Sequence, residues 1–132
     1  MTALQRDLYV EQGATFVLGF TWHQQGPPDS AGDPTVGAAY DLTGASARMQ
    51  IRKTVTSPVL VEATTENGRI TLGGATGRVD VVLTDADTDL LTGKRGVYDL
   101  EVEMGPAGSD AQVRRLMQGA VVISPNVTRD AP

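Results

Sequence analysis

The chain has 132 residues, 40% of them hydrophobic and 20% charged, which predicts a single folded domain rather than a disordered chain. It has no cysteine, which excludes disulfides, thiol catalysis and zinc–thiolate sites, and no apolar run suited to a signal peptide or a membrane span. The formal net charge of −5 argues against nucleic acid as the main partner, because phosphate binding needs a basic surface.

The first part of the chain predicts two strands. Fifteen glycines and seven prolines imply many turns and therefore short strands. Residues 7–11 (DLYVE) form the first predicted strand. Residues 14–23 (ATFVLGFTWH) then alternate between apolar and polar, which is typical of a half-buried strand. Both phenylalanines and the only tryptophan fall on its inward side, so we expect this strand to anchor the core.

The segment 24–41 follows and is dense in proline, glycine and small polar residues. This composition predicts a long loop without a regular element. A long loop in a compact domain is usually functional, so we expect 24–41 to be a contact surface.

Alternation then resumes and predicts six further strands. Asn67 and Gly68 fit the two central positions of a type I′ hairpin turn, and the glycine-rich segment 71–77 fits a hairpin loop rather than a phosphate-binding loop. The six stretches are 46–53 (SARMQIRK), 58–64 (PVLVEAT), 65–74 (TENGRITLGG), 77–84 (GRVDVVLT), 96–104 (GVYDLEVEM) and 111–124 (AQVRRLMQGAVVIS).

The last strand pair carries two more signals. Alternation slips near Arg114 and Arg115, which predicts a β-bulge there. The outward acids Asp99, Glu101 and Glu103 can lie opposite these arginines and help to set the register. Eight short strands at this spacing predict an all-β sandwich or small barrel.

Three alternating aspartates, Asp85, Asp87 and Asp89, raise the question of a calcium loop. An EF-hand loop needs glycine at its sixth position and glutamate at its twelfth. Counted from Asp85, these positions hold Leu90 and Gly96, so the EF-hand pattern fails. Calcium binding stays open as an alternative.

A short helix explains the same residues better. Thr84 can cap a helix, and Asp87 three residues later completes a capping box. Acids in the first turn suit the helix dipole, and Gly93 can end the helix. The sequence therefore predicts one short connecting helix over about 84–92, with a structural role.

No other pattern predicts a chemical site. His23 is the only histidine and has no catalytic partner nearby in sequence. We therefore predict no enzyme, and no catalytic, cofactor-binding or metal-binding residues. A hydrolase built on two carboxylates is the alternative, against which the 5% aromatic content offers little for stacking sugars.

Several stretches, in order, resemble proteins of one kind. They are 40–53 (YDLTGASARMQIRK), 64–91 (TTENGRITLGGATGRVDVVLTDADTDLL), 96–104 (GVYDLEVEM) and 113–129 (VRRLMQGAVVISPNVTR). Together they resemble phage tail and baseplate β-sandwich proteins encoded among tail-fibre genes, including the N-terminal domain of upper baseplate proteins. The resemblance covers residues 9–129. It implies an Ig-like antiparallel β-sandwich that attaches fibres or receptor-binding proteins to the tail, and it implies no catalytic residues.

The combined expectation is a virion structural protein of the phage tail, assembled in the host cytoplasm. Residues 1–132 form one sandwich domain with a long loop at 24–41 and extended termini, and we expect this loop, the N-terminal segment and the C-terminal tail to make the contacts. Its partners are other virion proteins in a multicopy symmetric assembly, with no nucleic acid, membrane or small-molecule substrate. The chain carries no coiled-coil or receptor-binding extension, so we expect it to bridge virion proteins rather than to recognise the host.

Two other functions of the same fold remain as alternatives. One is a carbohydrate- or receptor-binding module on the tail, for which Tyr9 and Tyr40 are the spare aromatic residues. The other is a capsid or neck decoration protein, which the sequence does not separate from a tail protein.

Overall fold

The computed structural model describes residues 3–33, 35–104 and 112–128. Within these ranges the chain is mostly β-structure, which confirms the predicted all-β fold class. A short helix, α1 (Asp85–Asp89), and a 3-10 turn at Gly74–Thr76 accompany the strands. The strands are β1 (Leu4–Gln5), β2 (Leu8–Glu11), β3 (Phe16–Thr21), β4 (His23–Gln25), β5 (Val36–Ala39), β6 (Ser46–Arg52), β7 (Val59–Thr64), β8 (Ile70–Leu72), β9 (Arg78–Leu83), β10 (Arg95–Met104) and β11 (Gln112–Ser124).

The strands form two sheets and a separate hairpin. The larger sheet has the order β1–β11–β10–β6–β7, with β2 also paired to β11, and the smaller sheet has the order β3–β9–β8. Strands β4 and β5 pair only with each other within the described ranges. The eight predicted strands correspond to β2, β3 and β6–β11.

The inward residues of both sheets form one hydrophobic core. The alternation in β6, β9 and β10 places side chains as predicted, with Ile51, Val79 and Leu100 fully buried. Phe16 and Phe20 are only half-buried, because β3 lies at an edge of its sheet. The predicted inward face of that strand is therefore correct, but its two phenylalanines are less enclosed than expected.

Trp22 is buried at the junction of the small sheet and the hairpin. Its ring stacks on the Tyr40 ring with centroids 3.8 Å apart and an interplanar angle of 19°. The backbone N–H of Trp22 also donates to the Gly77 carbonyl, while the backbone carbonyl of Trp22 accepts from the backbone N–H of Tyr40. The tryptophan thus ties the end of β3 to the base of the hairpin.

The first two strands differ from the predicted antiparallel arrangement. Both β1 and β2 pair in parallel with β11, with Leu4 opposite Met117 and Leu8 opposite Val121. Parallel neighbours need a long crossover, and here almost the whole domain lies between the paired strands. This pairing brings the beginning and the end of the described chain side by side.

Gly119 allows the N-terminal segment to cross β11 closely. The Arg6 carbonyl accepts a 2.6 Å hydrogen bond from the Tyr98 hydroxyl, and burial raises the pKa of Tyr98 to about 12, so the hydroxyl stays a donor. A Cβ atom at Gly119 would lie 2.3 Å from the same carbonyl oxygen.

We therefore expect Gly119→Ala to push the N-terminal strands off β11. The clash falls on backbone, so we expect a loss of roughly 1–3 kcal/mol in the free energy of unfolding, measured by urea denaturation. Amide exchange should accelerate across residues 4–11. The neighbouring change Gln118→Ala, on the solvent face, should leave that exchange unaltered, and equal protection in both variants would contradict the close approach.

The predicted loop at 24–41 is wrong at both of its ends. Strands β4 and β5 form a hairpin in which His23 faces Ala39. Gly37 permits this approach, because a Cβ atom there would lie 2.7 Å from the Gln24 carbonyl oxygen. Pro27, Pro28 and Gly32 lie between the two strands and Gly37 lies at a close backbone contact, so a composition typical of a loop did not reveal the pairing.

The type I′ turn predicted at Asn67–Gly68 is also wrong. Gly68 has φ of 80°, but no described residue other than glycine has positive φ, so Asn67 does not take the conformation that a type I′ turn requires. Instead, the Asn67 side-chain oxygen accepts from the N–H groups of Thr64 (2.9 Å) and Arg69 (3.1 Å). The turn carries the chain from β7 in one sheet to β8 in the other, so it does not close a hairpin.

The bulge predicted in the last strand is confirmed. The register between β10 and β11 shifts between Leu100 and Glu101, and Leu116 is the extra residue on β11. Leu116 and Met117 are both buried as a result. One predicted charge pair also forms, with 3.6 Å between Arg115 Nε and Asp99 Oδ2.

Candidate interaction surfaces

Helix α1 confirms the structural interpretation of the alternating aspartates. It is shorter than the predicted 84–92, and Thr84 is its N-cap. The Thr84 hydroxyl accepts from the Asp87 N–H at 3.2 Å, and the Asp87 carboxylate accepts from the Thr84 N–H at 3.0 Å, which completes the capping box. Within the described ranges, no three acidic or histidine side chains are placed to hold a metal ion.

Asp87 has a second partner that the sequence did not suggest. Arg69 Nε lies 2.6 Å from Asp87 Oδ2, and Arg69 Nη2 lies 2.7 Å from Asp87 Oδ1. These hydrogen bonds from Arg69, with those from Thr84, lower the pKa of Asp87 to about 2 although burial opposes the shift. The two residues are 18 positions apart, and no local spacing rule connects them.

Thr88 attaches α1 to the start of β3. This residue is fully buried. Its hydroxyl donates to the Ala14 carbonyl at 2.8 Å and accepts from the Gly13 N–H at 3.0 Å. The helix therefore fixes the position from which β3 begins.

The lone histidine and the two spare tyrosines have simple locations. His23 is exposed at the start of β4, and its Nδ1 lies 3.2 Å from the Gly37 carbonyl of the same hairpin. Tyr9 is 72% exposed, as a spare aromatic residue should be. Tyr40 is not spare, because its ring packs on Trp22.

The outer face of the larger sheet is strongly polar. One row across its strands consists of Gln5, Gln118, Asp99, Gln50 and Glu62. A groove of about 370 Å³ lies along this row. Several of these side chains are paired, as in the 2.6 Å hydrogen bond from Gln50 Nε2 to Glu62 Oε2 and the 2.9 Å bond from Arg115 Nη1 to Gln118 Oε1, so the row is a hydrogen-bonded polar surface.

The three segments predicted as contacts each present an exposed apolar side chain. Tyr9 lies on β2, Val36 (75% exposed) begins β5 of the hairpin, and Val127 (92% exposed) lies beyond β11. Next to Val127, the Asn126 N–H donates to the Gln12 side chain at 3.3 Å. Residues 1–2 and 129–132, which belong to the predicted terminal contacts, lie outside the described residues.

The free side of β3 is a further surface, which we call the β3 edge (residues 16–22). The Val82 N–H donates to the Arg69 carbonyl, so Val82 directs its backbone groups toward β8. Because these directions alternate along a strand, Val81 and Leu83 direct their backbone groups toward β3. It follows that Leu18, between Phe16 and Phe20, turns its backbone groups toward β9, whereas Val17 turns its groups away. In the part of the chain that the structure describes, no strand pairs with this outer side.

The β3 edge lacks the features that usually protect an edge strand. Natural edges are commonly shielded by lysine, proline, inward charges or bulges. Residues 16–22 read FVLGFTW and contain neither a charge nor a proline. Val17 is 65% exposed on this edge, beside Val82, which is 41% exposed.

Comparisons with known proteins add no family to this description. No protein-family model matches the chain, and no curated protein matches its sequence. The resemblance to phage tail and baseplate proteins therefore stays a prediction from the sequence. No helix in the described ranges is long and apolar enough to cross a bilayer.

Proposed function

We propose that the chain is a structural protein of the bacteriophage virion that works without catalysis. In this proposal it is a tail or baseplate component, and it anchors or bridges tail fibres or receptor-binding proteins through protein–protein contacts. Its place is the tail of the particle, in several copies, assembled in the host cytoplasm.

One observation supports this proposal most directly. Each segment predicted as a contact carries a strongly exposed apolar residue, namely Tyr9, Val36 or Val127, while the buried polar residues Asp87 and Thr88 are engaged in bonds that hold the fold together. A protein that acts by touching others needs apolar groups at its rims, since such groups gain most from being covered.

The test is to locate the chain in purified particles by cryo-imaging and mass spectrometry. We expect several copies at the tail, where fibres attach. The triple change Tyr9→Ala, Val36→Ser, Val127→Ser should yield particles with fewer fibres, whereas Val55→Ser, at a residue 80% exposed outside the three segments, should not. Copies on the capsid or neck would favour the decoration-protein alternative, and particles without the chain would reject a virion role.

A second candidate function is glycan binding in the groove on the larger sheet. It is favoured by the amide side chains of Gln5, Gln50 and Gln118 beside Asp99 and Arg115, because amides, carboxylates and guanidinium groups are suited to hydroxyl-rich ligands. Glycan-array binding that is lost in Gln118→Ala and kept in Tyr9→Ala would support this function. No binding by the wild-type protein would remove it.

A further inference from the structure

We propose that two copies of the chain pair through their β3 edges. The two strands would run antiparallel around a two-fold axis at Gly19. They would join the two small sheets into one sheet of six strands. The inference concerns the chain itself, so it does not depend on which virion proteins it meets.

The backbone of β3 is arranged for this pairing. Val17, Gly19 and Thr21 direct their N–H and C=O groups away from β9, as the register of the small sheet requires. An antiparallel partner centred on Gly19 would set Val17 of one copy opposite Thr21 of the other, and Gly19 opposite Gly19. These are the pairs that exchange two hydrogen bonds each, about six in total.

The inward side chains of the β3 edge in one copy can pack against the same side chains of a second copy. In the same register Leu18 meets Phe20 of the second copy, and Phe16 meets Trp22. Leu18 is buried already, but Phe16 and Phe20 are half-buried in the single chain and would be covered by the second copy. The pairing therefore extends the apolar core across the axis.

The outward side chains also match. Val17 would face Thr21, and both are β-branched residues that favour strands. At the centre, Gly19 projects no side chain, and the space above it is filled by Arg78, whose Nη2 lies 2.9 Å from Asp80 Oδ1. Because Asp80 balances the charge of Arg78, the two copies would not bring unpaired charges together at the axis.

A second copy fits this edge better than it fits the other free edges. Strand β7 carries Glu62 and β2 carries Glu11, and two-fold pairing of such an edge brings like charges close together. The other edges are shorter than β3: β8 has three residues, β1 has two, and β4 and β5 of the hairpin have three and four. The β3 edge is uncharged and longer, and a second copy supplies an apolar strand of matching pattern.

Sedimentation velocity on the full chain tests the proposal. A strand-to-strand contact buries less area than a standard interface, so we expect a dimer with a dissociation constant between about 1 µM and 1 mM. Val17→Lys should weaken dimerisation at least tenfold, as it brings two positive charges to the edge. The matched change Val82→Lys, on the same face but on the central strand, should alter it less than twofold.

A second variant keeps the test independent of side-chain charge. Thr21→Pro removes an N–H that points away from β9, so the folded monomer does not need it, but the pairing does. Circular dichroism should report an unchanged fold while the dimer is lost.

Amide exchange supplies a residue-specific readout. Protection at Val17, Gly19 and Thr21 should rise with protein concentration, while that of Leu18, bonded to β9, should not change. A wild-type chain that stays monomeric up to about 1 mM, or dimers that persist in both Val17→Lys and Thr21→Pro, would overturn the proposal. Neither result bears on whether the chain is found in a virion, so failure here is distinct from failure of the proposed function.

Discussion

Replacing Trp22 with alanine is expected to lower the free energy of unfolding by about 3–5 kcal/mol. Trp22 is buried and stacks on Tyr40, so the change leaves a cavity between the small sheet and the β4–β5 hairpin. The remaining chain cannot fill this space without moving the hairpin. The Tyr40 ring, which loses its stacking partner, should become more exposed.

Urea denaturation followed by far-ultraviolet circular dichroism measures this effect, because Trp22 is the only tryptophan and its fluorescence is lost with it. Trp22→Phe keeps a ring in the site and should cost less than Trp22→Ala. Tyr9→Ala removes an exposed aromatic residue and should change stability by no more than about 0.5 kcal/mol. Equal effects of Trp22→Ala and Tyr9→Ala would show that the stack contributes nothing to stability.

Asp87→Asn is expected to lower the free energy of unfolding by about 2 kcal/mol at neutral pH. The folded chain holds the pKa of Asp87 at about 2, below its ordinary value, so the ionised carboxylate is favoured by folding. Asparagine has nearly the same shape but no charge, and it leaves Arg69 without its counter-ion.

The same pair predicts how stability depends on pH. A carboxyl group whose pKa is lowered by folding stabilises the protein above its unfolded pKa and loses this contribution as pH falls through the folded value. For Asp87 the contribution is complete above about pH 5 and fades toward pH 2. The difference in stability between wild type and Asp87→Asn should therefore shrink across this window.

Urea denaturation at several pH values between neutral and about pH 2 tests this prediction. Asp85→Asn is the matched control, because Asp85 lies in the first turn of the same helix but forms no ion pair with any arginine of the described residues. It should cost at most about 0.3–1 kcal/mol through the helix dipole. A difference between wild type and Asp87→Asn that stays constant down to pH 2 would contradict the role of the carboxylate.

Helix α1 and Trp22 both hold β3, the strand that we propose as the dimer contact. Thr88 on α1 bonds to Gly13 and Ala14 just before β3, and Trp22 lies at its other end. The β3 edge is thus held at both ends by contacts inside one chain. Variants that loosen either end should weaken dimerisation as well as stability, because the pairing needs a straight, preformed strand.

The sequence by itself determined the features that depend on neighbouring residues. Period-two alternation identified eight of the eleven described strands and their inward faces, but not β1, β4 and β5, since side chains in a strand point alternately to its two sides whatever lies beyond. Thr84 and Asp87 predicted the capping box for the same reason, because all of its bonds lie within four residues. The bulge at Leu116 was visible as a slip in the alternation.

Only the tertiary structure decided which elements meet. Alternation does not say whether successive strands pair, so the hairpin predicted at Asn67 is, in the structure, a connection between the two sheets. The sequence did not predict the β4–β5 hairpin, because Gly37 reads as a loop residue although it allows a close backbone contact with Gln24 that forms only on folding. The Arg69–Asp87 pair and the Trp22–Tyr40 stack join residues 18 positions apart in each case. Such contacts form because packing the two sheets brings distant residues together, and local pattern carries no record of that packing.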